Sequence, residues 1–561
     1  MAEESRRWMV LIATTWIQAF TGTNFDFSAY SSTLKSVLGI SQVQLNYLAM
    51  ASDMGKAFGW CSGLSLMHFP IWCVMFMAAF MGLFGYGLQW LLMARFITLP
   101  YVLVFLLCLT AGCSICWFNT VCYVLCIRNF ATNRALALSL TISFNGVTAA
   151  LYTLIAHAID IKNNTVYLLL NAVVPLFVSI LALFPILRQP PFQQLSQDAT
   201  RRDSCIFLVL NILAVFTGLY LLLLNSLSSI AYIARILLVG AVLLLFLPLC
   251  LPGLVYARDW ARHNLFARFH SFNSSLNFVT ADDFELVKGL IGNENRTNSG
   301  GDSYSMIEQE GCFGCFGRVM EKNRLAMLGE EHSARVLVRK WDFWLYYFSY
   351  FCGATIGLVY SNNLGQIAQS MGYHKNLGSL VTLYSTCSFF GRLLSAAPDF
   401  LRDKVYFART GWLAVGIVPT PIAFFLLVAS GSEEALRVCT ALVGLSSGFV
   451  FAASVSVTSE LFGPSSAGVN HNILITNIPI GSLLYGLLAA LVYDANAGST
   501  NLLETLVGKE LVCMGRKCYL KTFIVWGCIS LVGLVSSFIL FLRTKHAYNL
   551  FERRRNLPQS S

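Results

Sequence analysis

The sequence predicts an all-α polytopic membrane protein, with two six-helix bundles, two additional helices and a central polar loop, about 14 transmembrane helices in all. Three observations carry that expectation. First, 56% of the 561 residues are hydrophobic and only 12% are charged, with a mean hydropathy of +0.64. A soluble protein carries roughly 25% charged residues, so this chain cannot cover itself for water and the missing surface must face lipid. Second, apolar runs of spanning length recur along the chain. Third, the one long interval suited to water, 252–340, divides those runs into two blocks.

A spanning helix needs about 20 mostly apolar residues, and irregular backbone is not tolerated against lipid. Suitable runs lie near 8–30, 43–66, 71–93, 100–126, 135–158 and 165–187. A polar segment at 188–204, with Pro190-Pro191 and Arg201-Arg202, leads to two more at 205–225 and 230–251. Beyond the loop come 342–368, 377–398, 406–430, 436–459, 467–493 and 520–543. Arg6 and Arg7 precede a run too long for a signal peptide and without a small-residue cleavage site, so the first run reads as a retained helix.

Charge sets the orientation. With the N-terminus cytosolic and every run crossing, 27 Lys and Arg fall inside and 10 outside, and Lys56 within a helix completes the 38. Long loops weigh little in the positive-inside rule. Without the 11 in the central loop, the bias is still 16 against 10. Both termini are therefore expected in the cytosol, and the +10 net charge reads as membrane orientation, with no nucleic-acid partner.

The central loop reads as largely disordered, because 293–302 has no apolar face to offset its ordering entropy. Near its start, 256–272 mixes Arg258, Arg262 and Arg268 with Trp260, Phe266 and Phe269. That pattern fits either a basic amphipathic helix on the inner leaflet or a solvated helix extension. Cys312 and Cys315 form a C-x-x-C with no second pair, which argues against zinc and leaves palmitoylation open. Cys513 and Cys518, in a short loop on the exterior side, are disulfide candidates. Asn163-Asn164-Thr165 is a sequon on that same side, close to the membrane.

A weak internal repeat supports two halves. Phe130, Asn145 and Asp160 in one fifth helix correspond to Phe462, Asn477 and Asp494 in the other. Likewise Trp8 with Asn24 and Asp26 corresponds to Trp341 with Asn362, Asn363 and Gln366. Parallel repeats of this kind build one class of secondary transporter.

Several segments carry a more specific likeness. They are Leu328-Gly329-Glu330-Glu331-His332 before Trp341-Asp342-Phe343-Trp344, and Asn362-Asn363-Leu364-Gly365-Gln366-Ile367 before Ser370-Met371-Gly372-Tyr373. Gly391-Arg392-Leu393, Asn472-Ile473-Leu474, Pro479-Ile480-Gly481 and Cys513-Met514-Gly515-Arg516-Lys517-Cys518-Tyr519 add to them. In these the chain resembles the plant nodulin-like branch of the major facilitator superfamily, of nuclear fusion defective type, over nearly its whole length. More distantly it is similar to monocarboxylate and oxalate/formate carriers. The resemblance implies the major facilitator fold, with the two additional helices before a cytosolic loop. The expected units are 1–187 (first bundle), 188–251 (linker with the extra helices), 252–341 (loop), 342–545 (second bundle) and 546–561 (cytosolic tail). The superfamily's gate-loop motif is degraded in Gly63-Leu64-Ser65-Leu66-Met67-His68 and better kept in the second half as Arg392, Asp399 and Arg402, which implies a one-sided latch.

Ionisable residues inside helices are the sharpest functional signal, since a charge at the bilayer centre costs at least ~2.5–3.5 kcal/mol. Asp53 and Lys56, three residues apart, share one helix face. They read equally as a neutralising pair that permits insertion and as part of a substrate or coupling-ion site. Asp26 and Asn24 lie in the outer half of the first helix, which lines the cavity in the superfamily resembled, and Asp26 with Asp53 could share a proton if close. Asn119, Asn145, Asn362, Asn363, Gln366, Asn472 and Asn477 are individually interhelical glue and together mark a polar central pathway. His471 reads as a residue of the membrane interface and not as a proton relay.

No Walker loop, H-E-x-x-H or supported G-x-S-x-G occurs, so neither enzyme chemistry, a cofactor nor a metal is expected. Two function classes stand. One is a secondary carrier for a small polar solute, an organic anion with proton coupling being the favoured form. The other is a membrane sensor or scaffold that binds a cytosolic partner through the 252–341 loop. Buried charges favour the carrier, and either membrane, plasma or internal, suits the chain.

Overall fold

The computed structural model describes residues 2–40, 42–160, 164–188, 197–224, 230–255, 325, 327–373, 377–402, 406–497 and 513–556. All regular structure among them is helical. The first half contains α1 (Ala2–Thr21), α2 (Phe27–Leu38), α3 (Gln42–Gly55), α4 (Gly59–His68), α5 (Ile71–Met93), α6 (Tyr101–Asn129), α7 (Arg134–Phe144), α8 (Thr148–Ile159) and α9 (Val166–Leu187). Then follow α10 (Gln197–Leu224), α11 (Ala231–Phe246) and a short α12 (Ala334–Leu337). The second half contains α13 (Trp341–Tyr350), α14 (Ile356–Ser370), α15 (Leu377–Leu394), α16 (Ala397–Leu401), α17 (Arg409–Ile417), α18 (Pro419–Ala429), α19 (Glu433–Leu461), α20 (Ala467–Leu474), α21 (Asn477–Ala497) and α22 (Lys517–Asn556).

Among the described residues, ten helical stretches are long and apolar enough to cross a membrane. Helix also occupies the other four intervals where a span is expected, as α1 with α2, α3 with α4, α13 with α14, and α15. These are the first and second helices of each half, and they carry Asp26, Asp53, Lys56, Asn362 and Arg392 in place of apolar residues.

Helical breaks recur near mid-span. α1 stops at Gly22, where a Cβ would lie 2.6 Å from Thr148 Oγ1. Lys56–Phe58 and Asn145–Val147 tighten to 3-10 geometry, and Phe351–Thr355 widens to a π turn. α20 and α21 are separated at residues 475–476. Such mid-helix departures commonly mark hinges and sites. Both fifth helices break beside an asparagine, Asn145 in one and Asn477 in the other.

Glycine sets the close approaches. Gly55, Gly59 and Gly63 fall at four-residue intervals along the second helix. A Cβ at Gly55 would sit 2.6 Å from Cys113 N of α6, and one at Gly63 would sit 2.8 Å from Val469 Cγ2 of α20. The stripe thus presses α3 onto its own bundle and α4 onto the other.

The extra helices pack chiefly on the first bundle. Trp16 Nε1 donates to Leu245 O at 2.8 Å, and Arg7 pairs with Asp203 at 2.6 Å. α10 also reaches the second bundle, where a Cβ on Gly218 would meet the Phe389 ring. The apolar core of the first bundle continues through Phe389, Leu393, Ala452 and Val455 of the second.

Two departures from the sequence expectation concern the loop and the tail. The last part of the 252–341 loop is folded onto the second bundle. There Glu331 accepts from Ser465 N at 2.8 Å and Ser466 N at 3.0 Å, and His332 and Leu337 are buried. α22 runs to Asn556, past the expected end at 545, because Tyr548 donates to Glu460 at 2.8 Å and Arg402 pairs with Glu552. The expected 256–272 helix, Cys312, Cys315 and Asn163 lie outside the described residues.

Candidate functional site

A buried charged cluster forms where the two bundles meet. Lys56 Nζ donates to Asp53 Oδ1 at 2.6 Å, and both residues are buried. The other carboxylate oxygen accepts from the second bundle, from Asn362 Nδ2 at 3.1 Å and Ser482 Oγ at 2.9 Å. Asp53 therefore has both oxygens occupied and ties α3 to α14 and α21. Its position follows from the close crossing at Gly55, which holds α3 against α6.

Nearer the end that carries the termini, a second layer closes the gap between bundles. Asn472 Nδ2 donates to Thr120 Oγ1 at 2.8 Å, its Oδ1 accepts from Cys116 Sγ at 3.2 Å, and a Cβ on Gly59 would come 2.7 Å from that oxygen. His471 is buried with its ring edge-on to Tyr123 at 5.6 Å. It belongs to the contact between bundles and not to the membrane surface, because α20 is pressed onto α4 and α6. On the other flank, Ser139 Oγ donates to Arg392 O at 2.6 Å, joining α7 to α15.

The three gate-loop residues part company. Asp399 pairs with Arg409 at 2.6 Å, and Arg409 with Glu460 at 3.0 Å. Arg402 pairs with Glu552. These tie the second bundle together at its terminal end. Arg392 instead turns inward between bundles, where its Nη1 lies 3.4 Å from Asn145 Oδ1 and from Ile142 O.

The other sequence candidates spread out. Asp26 is buried inside the first bundle and accepts from Asn171 Nδ2 of α9 at 3.2 Å, so its partner differs from every partner of Asp53. Asn24 is half-buried in the break before α2. Asn119 accepts from Gln18 at 2.9 Å, Asn363 donates to Val359 O of its own helix at 2.9 Å, and Gln366 accepts from Tyr519 at 3.1 Å. Asn477 accepts from Thr355 at 2.7 Å. Only Asp53, Lys56 and Asn362 meet in one cluster, and Asn145, Arg392 and Asn472 bridge bundles beside it. Cys513 and Cys518 are joined by a disulfide, with Cα atoms 6.0 Å apart. No metal-holding cluster occurs among the described residues.

Sequence reasoning passed over Ser482, Thr120, Cys116 and Tyr123. A serine or cysteine in an apolar helix gives no signal by itself. Only Ser482 had a clue, lying in the same helix as Asn477.

The comparisons agree with this architecture. Residues 7–253 match the family described as Nodulin-like, and 325–550 match the family described as NFD4, C-terminal domain. The chain is 56% identical to Protein NUCLEAR FUSION DEFECTIVE 4 of Arabidopsis thaliana, over 98% of this chain and 90% of that one. It is 28% identical to Probable transporter MCH1 of Yarrowia lipolytica, over 30% of this chain and 35% of that one. Among solved structures it is similar to the proton:xylose symporter XylE, at 12% identity, TM-score 0.52 and 95% coverage of both chains. It is also similar to a bacterial homolog of the human lysosomal transporter Spinster, at 12% identity and TM-score 0.50, covering 97% and 98%. At such identities these structures speak to the fold alone.

Proposed function

Since the chain belongs to the nodulin-like branch of the major facilitator superfamily and is an integral multi-pass membrane protein, we propose that it is a secondary active transporter of a small polar solute, with an organic anion as substrate and protons as the coupling ion. Both termini are cytosolic, and transport proceeds by rocking one bundle against the other. The observation that carries this reading is Asp53. A carboxylate buried between bundles, paired with Lys56 and hydrogen-bonded to Asn362 and Ser482 of the other half, must change partners whenever the halves move. An insertion pair needs only Lys56, and the two bonds from the second bundle have no part in that role.

The Asn472–Thr120 and Ser139–Arg392 bonds lie on the terminal side of Asp53. With the termini in the cytosol, these bonds hold the cytosolic side together, and we infer that solute enters from the opposite end. The cluster at Asp53 then sits at the base of the entry path. Solute flux into proteoliposomes containing the purified full-length chain tests the proposal. Uptake of some organic anion, accelerated by an inward proton gradient, is the expected result. Uptake that ignores the gradient would remove the coupling, and failure to move any solute in a broad panel would remove the carrier reading.

A further inference from the structure

Arg392 is buried at 4% exposure, and among the described residues no carboxylate pairs with it. Every other buried arginine among them, Arg7, Arg409 and Arg543, has an acidic partner. Among the described residues its guanidinium makes only two hydrogen bonds, both long and through Nη1, and its Nε has no partner. Such a charge persists inside a membrane protein only when paired or when facing a water-filled path.

The polar groups around it carry donors as well as acceptors. Asn145 offers its oxygen to Arg392, which leaves the Nδ2 donor buried and unpartnered. Tyr123, Tyr350 and Tyr384 are its electrostatic neighbours. The Tyr384 hydroxyl is committed to Gly357 and Ser447. Among the described residues, two buried donors in contact with each other, Arg392 Nε and Asn145 Nδ2, are thus left without an acceptor. Phe25 lies against the guanidinium at 5.5 Å, and the Phe389 ring stands beside Phe144 at 6.2 Å, so the surround is otherwise apolar.

We propose that Arg392, with Asn145, Tyr123 and Tyr350, is a binding seat for the carboxylate of a small organic anion. A carboxylate supplies acceptor oxygens in the plane of the guanidinium, matching a free Nε. The Asp53 cluster cannot serve this role, because its carboxylate repels an anion and both its oxygens are occupied. This assignment rests on the carrier reading for its biological meaning, but the seat itself is a matter of binding.

The test uses purified full-length protein in detergent and thermal stabilisation as the readout. The probes are acetate, malonate and benzoate, set against acetamide, malonamide and benzamide. At least one carboxylate is expected to stabilise the wild type, while its amide does not. Arg392→Gln should weaken that carboxylate at least tenfold. Asn145→Asp places a carboxylate beside Arg392, so it should raise the melting temperature and abolish carboxylate binding with the arginine still present. Asn145→Ala, which removes one donor of the seat and adds no charge, should weaken that binding without abolishing it. If no carboxylate binds, if amides bind as well, or if Asn145→Asp binds like the wild type, the seat is overturned. The last comparison decides the matter even if Arg392→Gln does not fold. Flux separates the two proposals. Arg392-dependent binding without transport removes the carrier and leaves the seat, and transport with Arg392-independent binding does the reverse.

Discussion

Asn472 of the second bundle and Thr120 of the first are joined by a 2.8 Å hydrogen bond, with both side chains buried. Asn472→Ala leaves the Cys116 and Thr120 groups short of a partner at the closed end. A bond of this kind contributes about 1 kcal/mol, equivalent to roughly a fivefold shift in a two-state equilibrium. The variant should open toward the terminal end several-fold more often. Labelling of a cysteine introduced at Ser62 by a reagent on that side measures this, and an unchanged rate would remove Asn472 from the gate.

Asp53 and Lys56 separate charge balance from function. Asp53→Asn alone leaves a buried ammonium and should cost about 3–5 kcal/mol, visible as lost surface abundance. Asp53→Asn with Lys56→Met removes both charges and should restore abundance while flux is lost. Normal abundance with normal, still pH-dependent flux would make them structural residues.

Cys513 and Cys518 close a small ring at the entry to α22. It is anchored by Gly515 N to Ser370 O at 2.7 Å and by Cys513 N to Tyr493 at 3.0 Å. For so short a ring the chain-entropy gain is about 2 kcal/mol. Replacing both cysteines with serine should lower the melting temperature by several degrees and leave the fold intact. Thiol labelling of the untreated protein should detect neither cysteine until a reductant is added.

Glu331 gives a pH signature outside the membrane. Partial burial works to raise its pKa, but the hydrogen bonds from Ser466 and Ser465 outweigh it and hold the carboxyl below its usual 4.5. A lowered folded pKa means the contribution is fully present above the usual value and is lost as pH falls through the folded one. Melting of the wild type should therefore steepen below about pH 4.5, the usual glutamate value. Glu331→Gln should be less stable at neutral pH and lack that step. Because the side chain is largely exposed, the effect is small.

Both termini lie at one end of the bundle, where Ser5 bonds to Pro252 O and Arg402 meets Glu552. Tags on either terminus should be digested together in cytosol-side-out vesicles. Digestion of one with protection of the other would contradict an even number of crossings.

The fold was legible because lipid imposes one rule over long windows. Apolar runs fall where helices do, and Phe130–Asn145 repeats as Phe462–Asn477. The site was legible only in part. Asp53 with Lys56 is visible at helical spacing, but the sequence cannot show that Asn362 and Ser482 reach the same oxygen from 309 and 429 positions away. Arg392 was read as part of a loop because its motif ends there, whereas its long side chain carries the charge back into the bundle. Asp26 was placed on the pathway by its helix, and the break at Gly22 turns it inward to Asn171 instead.

The stripe of Gly55, Gly59 and Gly63 has a genetic consequence. Glycine is the smallest residue the code offers, so every missense change at these codons adds atoms, and none can be compensated by a smaller neighbour on the same helix. At Gly55 the obstacle is main chain of α6, at Gly59 it is the Cys116 and Asn472 side chains, and at Gly63 it is Val469. A saturation library should be depleted at all three positions for different reasons. Gly55 alleles would be lost through failed assembly of one half, whereas Gly63 alleles would reach the membrane and be unable to shut. Suppressors of the second class should therefore map to position 469, on the far side of the molecule's internal boundary.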